Sequence, residues 1–475
     1  MMHVTFRGAA REVTGSMHLI EADGMQVALD CGLFQGRRAE ATKKNRHFPF
    51  DGAALHAVVL SHAHLDHCGR LPLLVRHGFA GPIYATPATR DLCALLLADS
   101  AHIQEEDAKY LNKKRARKGE PPIAPLYDEE DAARALARFH TVSEGQTFWV
   151  TKRLKASFHH TGHMLGASMV ELEYAPPGGG PAVRLLFTGD VGRFNLPILR
   201  DPTPLPECDY LITESTYGGR LHPPTADLKE LLAEAVNGTI ERGGRVIIPA
   251  FSVGRTQVIV YFLHQLQAEG RIPCIPTYVD SPLAVNATEV FRLHPELFDR
   301  DARRFQRKTG DILGSSCCTY IRDVEESKRI NRRRRPCIII SASGMCEAGR
   351  ILHHLKNNIG KEKNTVIIVG FQAAHTLGRR IVERQKEVRI FGRTYKLKAR
   401  VVVLNGFSAH ADRDELHRLL DPIAARCRRA FLVHGEEDQM EALRRSMRGR
   451  GFRKIEMPEP GRRFSLNGAS RAGAR

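Results

Sequence analysis

Short apolar runs separated by polar loops dominate the first two hundred residues of the chain. Runs of this length, bounded by glycine, proline or charged residues, are typical of β-strands. They occur at 26–29, 57–60, 83–85, 154–158, 168–173 and 183–187. The stretch 89–110 instead has apolar residues at helical spacing and predicts a long helix. The sequence Pro-Pro-Gly-Gly-Gly at 176–180 predicts a hairpin connection.

A different pattern, in which helices alternate with continuous apolar strands, begins near residue 215. Strands that are apolar at every position are typical of a parallel sheet covered by helices on both faces. Polar loops that carry histidine return after residue 400, so we expect a second domain inserted into the first. The pattern predicts helices at 225–242 and 256–268 and strands at 245–249, 275–279, 337–340 and 365–369.

The densest candidate chemistry lies at 61–67, Ser-His-Ala-His-Leu-Asp-His, directly after a predicted strand. Alternate residues leaving a strand end turn His62 and His64 toward one point, and Asp66 and His67 in the following turn face a second point. Four metal-ligand side chains this close favour two adjacent metal ions, which suit hydrolysis of a phosphodiester or a strained amide. A polar loop that is histidine-rich by chance is the alternative, and it explains neither the spacing nor the preceding strand.

Three further candidate ligands, His163, Asp190 and His434, each follow a predicted strand. Side chains at strand ends around a common edge are how a sandwich of sheets builds a site. Taken singly, His163 and Asp190 have a loop hydrogen bonder and a turn residue as alternatives. Imidazole and carboxylate ligands suit zinc, with manganese or iron as alternatives. The expected assignment is His62, His64 and His163 to the first metal, Asp66, His67 and His434 to the second, and Asp190 as the bridge.

Composition and charge narrow the class of partner. The chain has 475 residues, enough for two or three domains, and 42% hydrophobic with 26% charged residues is typical of a globular protein. The formal net charge is +18, and basic runs lie at 113–118 and 332–335. Such donors favour a polyanion, most simply nucleic acid, whose binding depends steeply on salt. A solvated basic surface is the alternative.

The location of the protein is also constrained by sequence. No apolar run approaches the roughly 20 residues that span a bilayer, and the first residues lack the apolar core of a signal peptide. We therefore expect a cytoplasmic protein with no membrane partner. Ten cysteines are scattered without a Cys-x-x-Cys pair, and in a reducing compartment we expect free thiols.

The order and spacing of the candidate ligands resemble those of the metallo-β-lactamase superfamily. Further motifs resemble its β-CASP branch of nucleic-acid-processing nucleases, most closely the bacterial RNA-processing ribonucleases of the cleavage-and-polyadenylation-specificity-factor type. The resemblance runs from near residue 1 to about residue 460. The further motifs are Thr-Glu-Ser-Thr-Tyr-Gly at 213–218, Phe-Ser-Val-Gly-Arg at 251–255, Ser-Gly-Met at 343–345, Phe-Ser-Ala-His at 407–410 and Val-His-Gly at 433–435.

This resemblance implies an α/β fold in two parts. A metallo-β-lactamase αββα sandwich would comprise residues 1–210 and 396–475, ending in a short tail at 469–475 that we expect to be disordered, and an inserted β-CASP α/β domain would comprise 211–395. We expect RNA to enter a cleft too narrow for a duplex, so that single-stranded RNA is the partner. A homodimer is compatible with the sequence.

Residue roles follow from the same resemblance. Asp30 matches a motif beside the metal centre and would orient ligands through hydrogen bonds, with a turn residue before glycine as the alternative. Glu214, His410 and His434 match the motifs A, B and C of the branch. A histidine at the last of these positions resembles the RNA-acting members, so RNA is the favoured substrate.

The expected activity is that of a metal-dependent ribonuclease with a two-zinc hydroxide mechanism. A water held between two cations loses its proton near neutral pH and attacks phosphorus in line. His410 would donate a proton to the leaving 3′ oxygen as general acid, with Glu214 holding its tautomer, and a structural histidine is the alternative. The products would carry a 5′-phosphate and a 3′-hydroxyl. The expected catalytic set is His410, Glu214, Asp190 and Asp66.

RNA phosphates need further donors, for which four residues are candidates. Hydroxyl groups and arginines at helix starts after glycine are suited to this role, and for the arginines a solvated helix end is the alternative. The candidates are Ser408, Arg255, Arg350 and Arg379.

Two rival functions belong to other classes. A noncatalytic RNA-binding subunit of a processing complex is disfavoured by the complete ligand set. A small-molecule metallo-hydrolase is disfavoured by the inserted domain and the basic runs. Exonuclease and endonuclease modes both stay open.

Overall fold

The computed structural model describes residues 1–36, 38–223, 226–370, 372–373 and 375–467. The expected tail at 469–475 lies outside the described residues, and the domain bounds expected from the sequence stay predictions. The chain divides into two compact units. The first comprises Met1–Phe194, Asp201–Leu221 and His410–Arg475, and the second comprises Asn195–Arg200 and His222–Ala409.

The described part of the chain contains the following strands and helices. The strands are β1 (Met2–Gly8), β2 (Met17–Ala22), β3 (Met25–Leu29), β4 (Leu55–Val59), β5 (Ile83–Ala85), β6 (Phe139–Thr141), β7 (Thr147–Trp149), β8 (Leu154–His160), β9 (Ser168–Tyr174), β10 (Val183–Phe187), β11 (Tyr210–Glu214), β12 (Val246–Pro249), β13 (Thr277–Val279), β14 (Cys318–Tyr320), β15 (Ile338–Ser341), β16 (Thr365–Val369), β17 (Glu387–Ile390), β18 (Arg393–Lys396), β19 (Arg400–Leu404), β20 (Arg429–Val433), β21 (Ile455–Glu456) and β22 (Arg463–Leu466). The α-helices are α1 (Arg38–Arg46), α2 (Leu65–Cys68), α3 (Leu71–Arg76), α4 (Pro87–Ala116), α5 (Glu129–Leu136), α6 (Ala226–Glu241), α7 (Arg255–Ala268), α8 (Pro282–Leu293), α9 (Arg300–Thr309), α10 (Val324–Arg332), α11 (Ile351–Asn358), α12 (Leu377–Val382), α13 (Arg413–Leu420) and α14 (Glu437–Arg448). Short 3₁₀ turns lie at Gly52–Ala54, Pro295–Leu297, Asn405–Phe407 and Asp421–Ile423.

Two seven-stranded sheets form the centre of the first unit. Their strand orders are β22-β1-β2-β3-β4-β5-β6 and β21-β20-β11-β10-β9-β8-β7. Burial alternates along β8, so one face of the second sheet is buried in the core between the two sheets. This core includes Phe6 and Val59 from the first sheet and Phe158 and Leu185 from the second. Apolar residues of α13 and α14 pack on its other face, around Leu432. The predicted αββα sandwich is confirmed.

The second unit is built on a six-stranded sheet of order β14-β13-β15-β12-β16-β19, in which every pairing is parallel. β12, β15 and β16 are buried at every position, as their apolar runs predict. The predicted α/β insertion is therefore confirmed in class. Residue 225, the predicted start of α6, lies outside the described residues.

The first unit contains the long helix and the hairpin that the sequence predicts. The helix predicted at 89–110 is longer, because Thr86 caps its start by accepting from the N–H of Thr89 and because the basic run continues it to Ala116. The hairpin predicted at 176–180 joins the antiparallel strands β9 and β10 and is confirmed.

Cysteine pairing differs from the sequence-based expectation. Cys274 and Cys317 form a disulfide, with their Cα atoms 5.8 Å apart. The expectation of free thiols was wrong for this pair, because the parallel pairing of β13 and β14 brings two distant segments together. Among the described residues, no helix is both long and apolar enough to cross a membrane.

Candidate metal centre

The candidate site is built where strands of both sheets in the first unit end. Asp30 follows β3 and the 61–67 segment follows β4 in one sheet. His163 follows β8, Asp190 follows β10 and His434 follows β20 in the other. Because β10, β11 and β20 are parallel neighbours, their carboxyl ends lie at the same edge.

Four donor atoms form the first group. His64 Nδ1 lies 3.2 Å from His62 Nε2 and 3.2 Å from His163 Nε2. Asp190 Oδ2 lies 3.4 Å from the same two Nε2 atoms. Four donors at zinc–ligand distances of about 2.0–2.1 Å would stand about 3.3 Å apart at the corners of a tetrahedron. The spacing of the donors thus fits a tetrahedral cation.

A second group shares the carboxylate of Asp190. His434 Nε2 lies 3.3 Å from His67 Nε2 and 3.4 Å from Asp66 Oδ2, and His67 Nε2 lies 3.3 Å from Asp190 Oδ1. The Oδ1 atom is buried and receives no hydrogen bond from the described residues. Each oxygen of Asp190 therefore faces a different group, which is the arrangement of a bridging carboxylate.

The protonation states of the first donor group suit metal binding. Burial lowers the pKa of His62 and His163, and it lowers the pKa of His64 to about 3, so these imidazoles are neutral near pH 7. Burial opposes ionisation of Asp190, but the neighbouring histidines outweigh it and hold the pKa of this carboxyl well below its usual range. Neutral imidazole and carboxylate are the forms that coordinate cations.

His67 differs from the other histidines because two carboxylates flank it. Burial lowers its pKa, but Asp190 and Asp30 outweigh burial and raise the pKa well above the ordinary value. When no cation is bound, this imidazole is therefore protonated on both nitrogens and positively charged near pH 7. A cation at the second group would displace that proton, so binding is coupled to proton release.

Asp30 contacts the ring nitrogen of His67 that points away from the donor group, Nδ1. Its Oδ2 atom lies 2.6 Å from His67 Nδ1 and accepts from the hydroxyls of Ser61 and Ser16 at 3.0 and 3.1 Å. Its φ angle of 62° is in the left-handed region, which costs a non-glycine residue energy and is typical of functional sites. Sequence reasoning missed both serines: Ser61 directly precedes the histidine cluster, whereas nothing in the sequence marks Ser16.

His434 is also held from behind by a residue that sequence reasoning missed. Thr216 Oγ1 lies 3.1 Å from His434 Nδ1 and donates to its carbonyl at 3.0 Å. The φ angle of His434 is 50°, again in the left-handed region. Thr216 belongs to the 213–218 motif, which was the available signal.

His410 and Glu214 form a dyad beside the donor groups. His410 Nδ1 lies 3.1 and 3.2 Å from the two carboxylate oxygens of the buried Glu214, which also accepts from the N–H of Val191 at 2.6 Å. The Nε2 atom of His410 lies 4.0 Å from Asp190 Oδ2. Burial lowers the pKa of His410, but the carboxylates of Glu214 and Asp190 outweigh it and raise the pKa to about 9.

The loop after β10 depends on close backbone approach. A Cβ atom on Gly192 would lie 2.2 Å from the carbonyl carbon of Gly162 and 2.5 Å from the nitrogen of His163. Only glycine fits there. Gly192 also forms a β-bridge with His410, so one short loop connects the positions of His163, Asp190 and His410.

The four predicted phosphate donors belong to the second unit. Arg255 donates from Nε to the carbonyl of Phe407 at 3.0 Å and from Nη1 to that of Val369 at 3.1 Å. The Ser408 hydroxyl is buried and makes no hydrogen bond with the described residues. Their role in phosphate binding stays a prediction.

The other two arginines have acidic partners. Arg350 Nη1 donates to the fully buried Asp280 at 2.7 Å, and Asp280 also accepts from His354 at 2.6 Å. Arg379 pairs with Glu383 at 2.6 Å on the exposed face of α12. Phosphate binding by either arginine would compete with these carboxylates, and it too stays a prediction.

The αββα fold with this donor set defines the class of metal-dependent hydrolases. The chain belongs to the metallo-beta-lactamase superfamily, whose model matches residues 11–250. A Beta-Casp domain matches residues 256–381, and a Zn-dependent metallo-hydrolase RNA specificity domain matches 394–458. The expected family is confirmed.

Two similar proteins align with almost the whole chain. It is 36% identical to Ribonuclease TTHA0252 of Thermus thermophilus, over 95% of this chain and 97% of the relative. It is 31% identical to the Transcription termination factor FttA of Methanosarcina mazei, over 92% of this chain and 67% of that protein. A crystal structure of a protein of unknown function from Enterococcus faecalis V583 aligns with 98% of this chain and 99% of its own at a TM-score of 0.57. Its 15% sequence identity supports the fold alone.

Proposed function

We propose that this zinc-dependent metallo-hydrolase is a ribonuclease that cleaves RNA phosphodiester bonds and leaves a 5′-phosphate and a 3′-hydroxyl. One observation carries the proposal: the two oxygens of Asp190 face two separate donor groups at tetrahedral spacing. Paired cations are suited to in-line displacement at phosphorus.

RNA is the proposed substrate class for three reasons. An RNA specificity domain matches 394–458, a relative at 36% identity is named a ribonuclease, and the chain carries a net charge of +18. In addition, a histidine at position 434 resembles the RNA-acting members of the branch, and His434 is part of the second donor group.

The metal-holding residues follow from the two donor groups. Two zinc ions, or manganese in their place, would supply an activated water and would neutralise charge that develops on the phosphate. Asp190 would be shared, and Asp30 and Thr216 would fix the imidazole rings of His67 and His434 from behind. The proposed ligands are His62, His64 and His163 with Asp190, and Asp66, His67 and His434 with Asp190.

His410 is the proposed general acid. Its Nδ1–H is held by Glu214, which leaves Nε2 available to donate a proton to the departing 3′ oxygen as the P–O3′ bond breaks. The Glu214 carboxylate keeps the imidazole protonated and fixes its tautomer. Protonation of that oxygen gives the 3′-hydroxyl product.

Single-stranded RNA is the proposed form of the substrate. The side chains of His410 and Asp66 are each only 20% exposed, and His62, His67, His163, Asp190 and His434 are buried. A recessed centre of this kind accepts a flexible strand more readily than a rigid duplex. Equal cleavage of blunt duplex and single-stranded RNA would contradict this part of the proposal.

The test is a time course with RNA labelled at either end. Zinc-replete protein should cleave the RNA, EDTA should abolish cleavage, and added zinc should restore it. His434→Val should weaken cleavage and lower the zinc content, whereas the matched control His102→Ala, an exposed histidine paired with Glu129, should change neither. Cleavage that persists in EDTA, or hydrolysis of lactones and thioesters without cleavage of RNA, would exclude the proposal.

A further inference from the structure

Positive charge is concentrated where neighbouring strands of the parallel sheet in the second unit begin. Four segments, each directly before or at the start of one of the adjacent strands β12, β15, β16 and β19, contain eleven Lys and Arg residues and two Glu residues. They supply nine of the eighteen net positive charges of the chain. We name these segments, 241–245, 332–336, 361–364 and 396–400, the basic edge.

The strand register shows that the four segments meet. Val246 pairs with both Ile338 and Thr365, and Thr365 pairs with Arg400. The N–H of Thr365 donates to the carbonyl of Arg245 at 2.9 Å, and the N–H of Arg400 donates to that of Asn364 at 2.9 Å. Because neighbouring strands are about 4.8 Å apart, the four strand starts span about 14 Å.

Side-chain electrostatics agree with this placement. Burial, followed by the charges of Arg245 and Lys363, lowers the pKa of Lys361. Burial, followed by the charge of Arg400, lowers the pKa of Arg242. Like charges from different strands are therefore close enough to repel one another, and an anion bound there would relieve that repulsion.

Little acidic charge offsets this repulsion within the basic edge. Glu362 pairs with Lys398 at 3.1 Å, and Glu241 lies beside Arg242 in the chain. The two arginine and two lysine residues at 334, 335, 361 and 363 are exposed.

The surface is chemically suited to nucleic acid rather than to protein. Protein interfaces have an apolar core and are depleted in lysine. None of the large hydrophobic residues that are exposed in the described chain lies in these four segments. Rows of lysine and arginine without an apolar centre are instead the feature that contacts a phosphate backbone without reading sequence.

The basic edge is also distinct from the predicted phosphate donors. The carboxyl ends of β12, β15 and β19 lead into the motifs at 251–255, 343–345 and 407–410, which include Arg255 and Ser408. Strands of four or five residues place the two ends of the sheet roughly 15 Å apart.

We propose that the basic edge is a second RNA-binding surface, which contacts the sugar–phosphate backbone of a long substrate. The proposal rests on the proposed ribonuclease function for its ligand. Long RNA should therefore bind more tightly, and with a steeper salt dependence, than an RNA that occupies the metal centre alone.

The test compares two variants with the same change in net charge. The first is R334Q/R335Q/K361Q/K363Q on the basic edge. The matched control is R300Q/R304Q/R307Q/K308Q, which removes four exposed cations on α9 in the same unit. The association constant for an RNA of about 40 nucleotides is measured at several salt concentrations. The slope of its logarithm against the logarithm of the salt concentration should become shallower by about 3 in the first variant, because each of the four lost phosphate contacts removes about 0.7. Thermal unfolding and zinc content should match those of the unmutated protein.

Cleavage kinetics provide the second measurement. The basic-edge variant should raise KM for the long RNA and leave kcat unchanged, and an RNA hexamer should be cleaved as by the unmutated protein. Exchanging the same positions between lysine and arginine should preserve the slope. An unchanged slope, or an equal fall in the α9 control, would overturn the proposal, and the first of these would favour an acidic protein partner instead. Failure of the ribonuclease proposal would be recognised separately, as the absence of cleavage by the unmutated zinc-replete protein.

Discussion

His410 Nδ1 lies 3.1 Å from the nearer carboxylate oxygen of Glu214, although 196 positions of sequence separate the two residues. The carboxylate is fully buried and its other hydrogen bond comes from the backbone of Val191. A buried carboxylate with this geometry is stable only with a positive or hydrogen-bonding partner. The dyad therefore keeps a protonated imidazole beside Asp190.

Glu214→Gln should lower the pKa of His410, because the amide removes the charge that outweighs burial. The imidazole would then lose its proton near neutral pH, and kcat should fall at pH 8 but recover as the pH is lowered. The pH profile of kcat is the measurement. Glu171→Gln, which alters a partly buried His–Glu pair elsewhere in the first unit, should leave the profile unchanged.

His410→Ala should slow cleavage by roughly 10²–10⁴-fold while zinc content stays constant, because a general acid contributes that much and does not hold the metal. Zinc per chain, measured by elemental analysis, separates the two roles. His159→Ala is the matched control. Loss of zinc on replacing His410 would show that it is a ligand, since Asp190, Glu214 and His410 also offer donor atoms within 4.8 Å of one another.

Asp30→Asn should weaken zinc binding by about 10–100-fold, because the amide has no negative charge to hold the ring of His67 and its NH2 group cannot accept from the N–H of Ser61 as Oδ1 does. Competition with a chelator of known affinity measures the change. Asp23→Asn is the control, since Asp23 also has a positive φ and accepts from Tyr174. Unchanged zinc affinity in Asp30→Asn would show that the ring of His67 is held by packing alone.

Asp280 should make the second unit sensitive to acid. Burial raises the pKa of this carboxyl, but hydrogen bonds from His354, Ser327 and Arg350 outweigh burial and lower it. A carboxyl whose pKa is lower in the folded protein stabilises the fold above its unfolded pKa of about 3.9, and that stabilisation is lost as pH falls through the folded value.

Asp280→Asn should therefore reduce the free energy of unfolding at pH 7 by about 3 kcal/mol, since it leaves the charge of Arg350 without its partner. The difference from the unmutated protein should shrink below about pH 4. Denaturant unfolding at several pH values checks both statements. Asp311→Asn, which breaks a more exposed pair with Arg292, should cost much less.

The sequence by itself determined several of the buried strands and the close spacing of the candidate ligands at 62–67. β12, β15 and β16 are recognisable because each contains a continuous apolar run, a local property of a strand buried on both faces. The candidate ligands at 62–67 are recognisable because they lie within six positions of one another. His163, Asp190 and His434 are each a single polar residue after a predicted strand, a weaker local signal that the resemblance to a family strengthened.

Tertiary structure decided which atoms face one another. Ser16 supports Asp30, and Asp280 holds Arg350, through contacts that no local pattern encodes. The basic edge illustrates the same point: its charges are spread from position 241 to 400 and become neighbours only because parallel strands start at one edge of a sheet. Strand order and register are set by burial of the whole apolar face, and the positions of distant polar side chains follow from that packing.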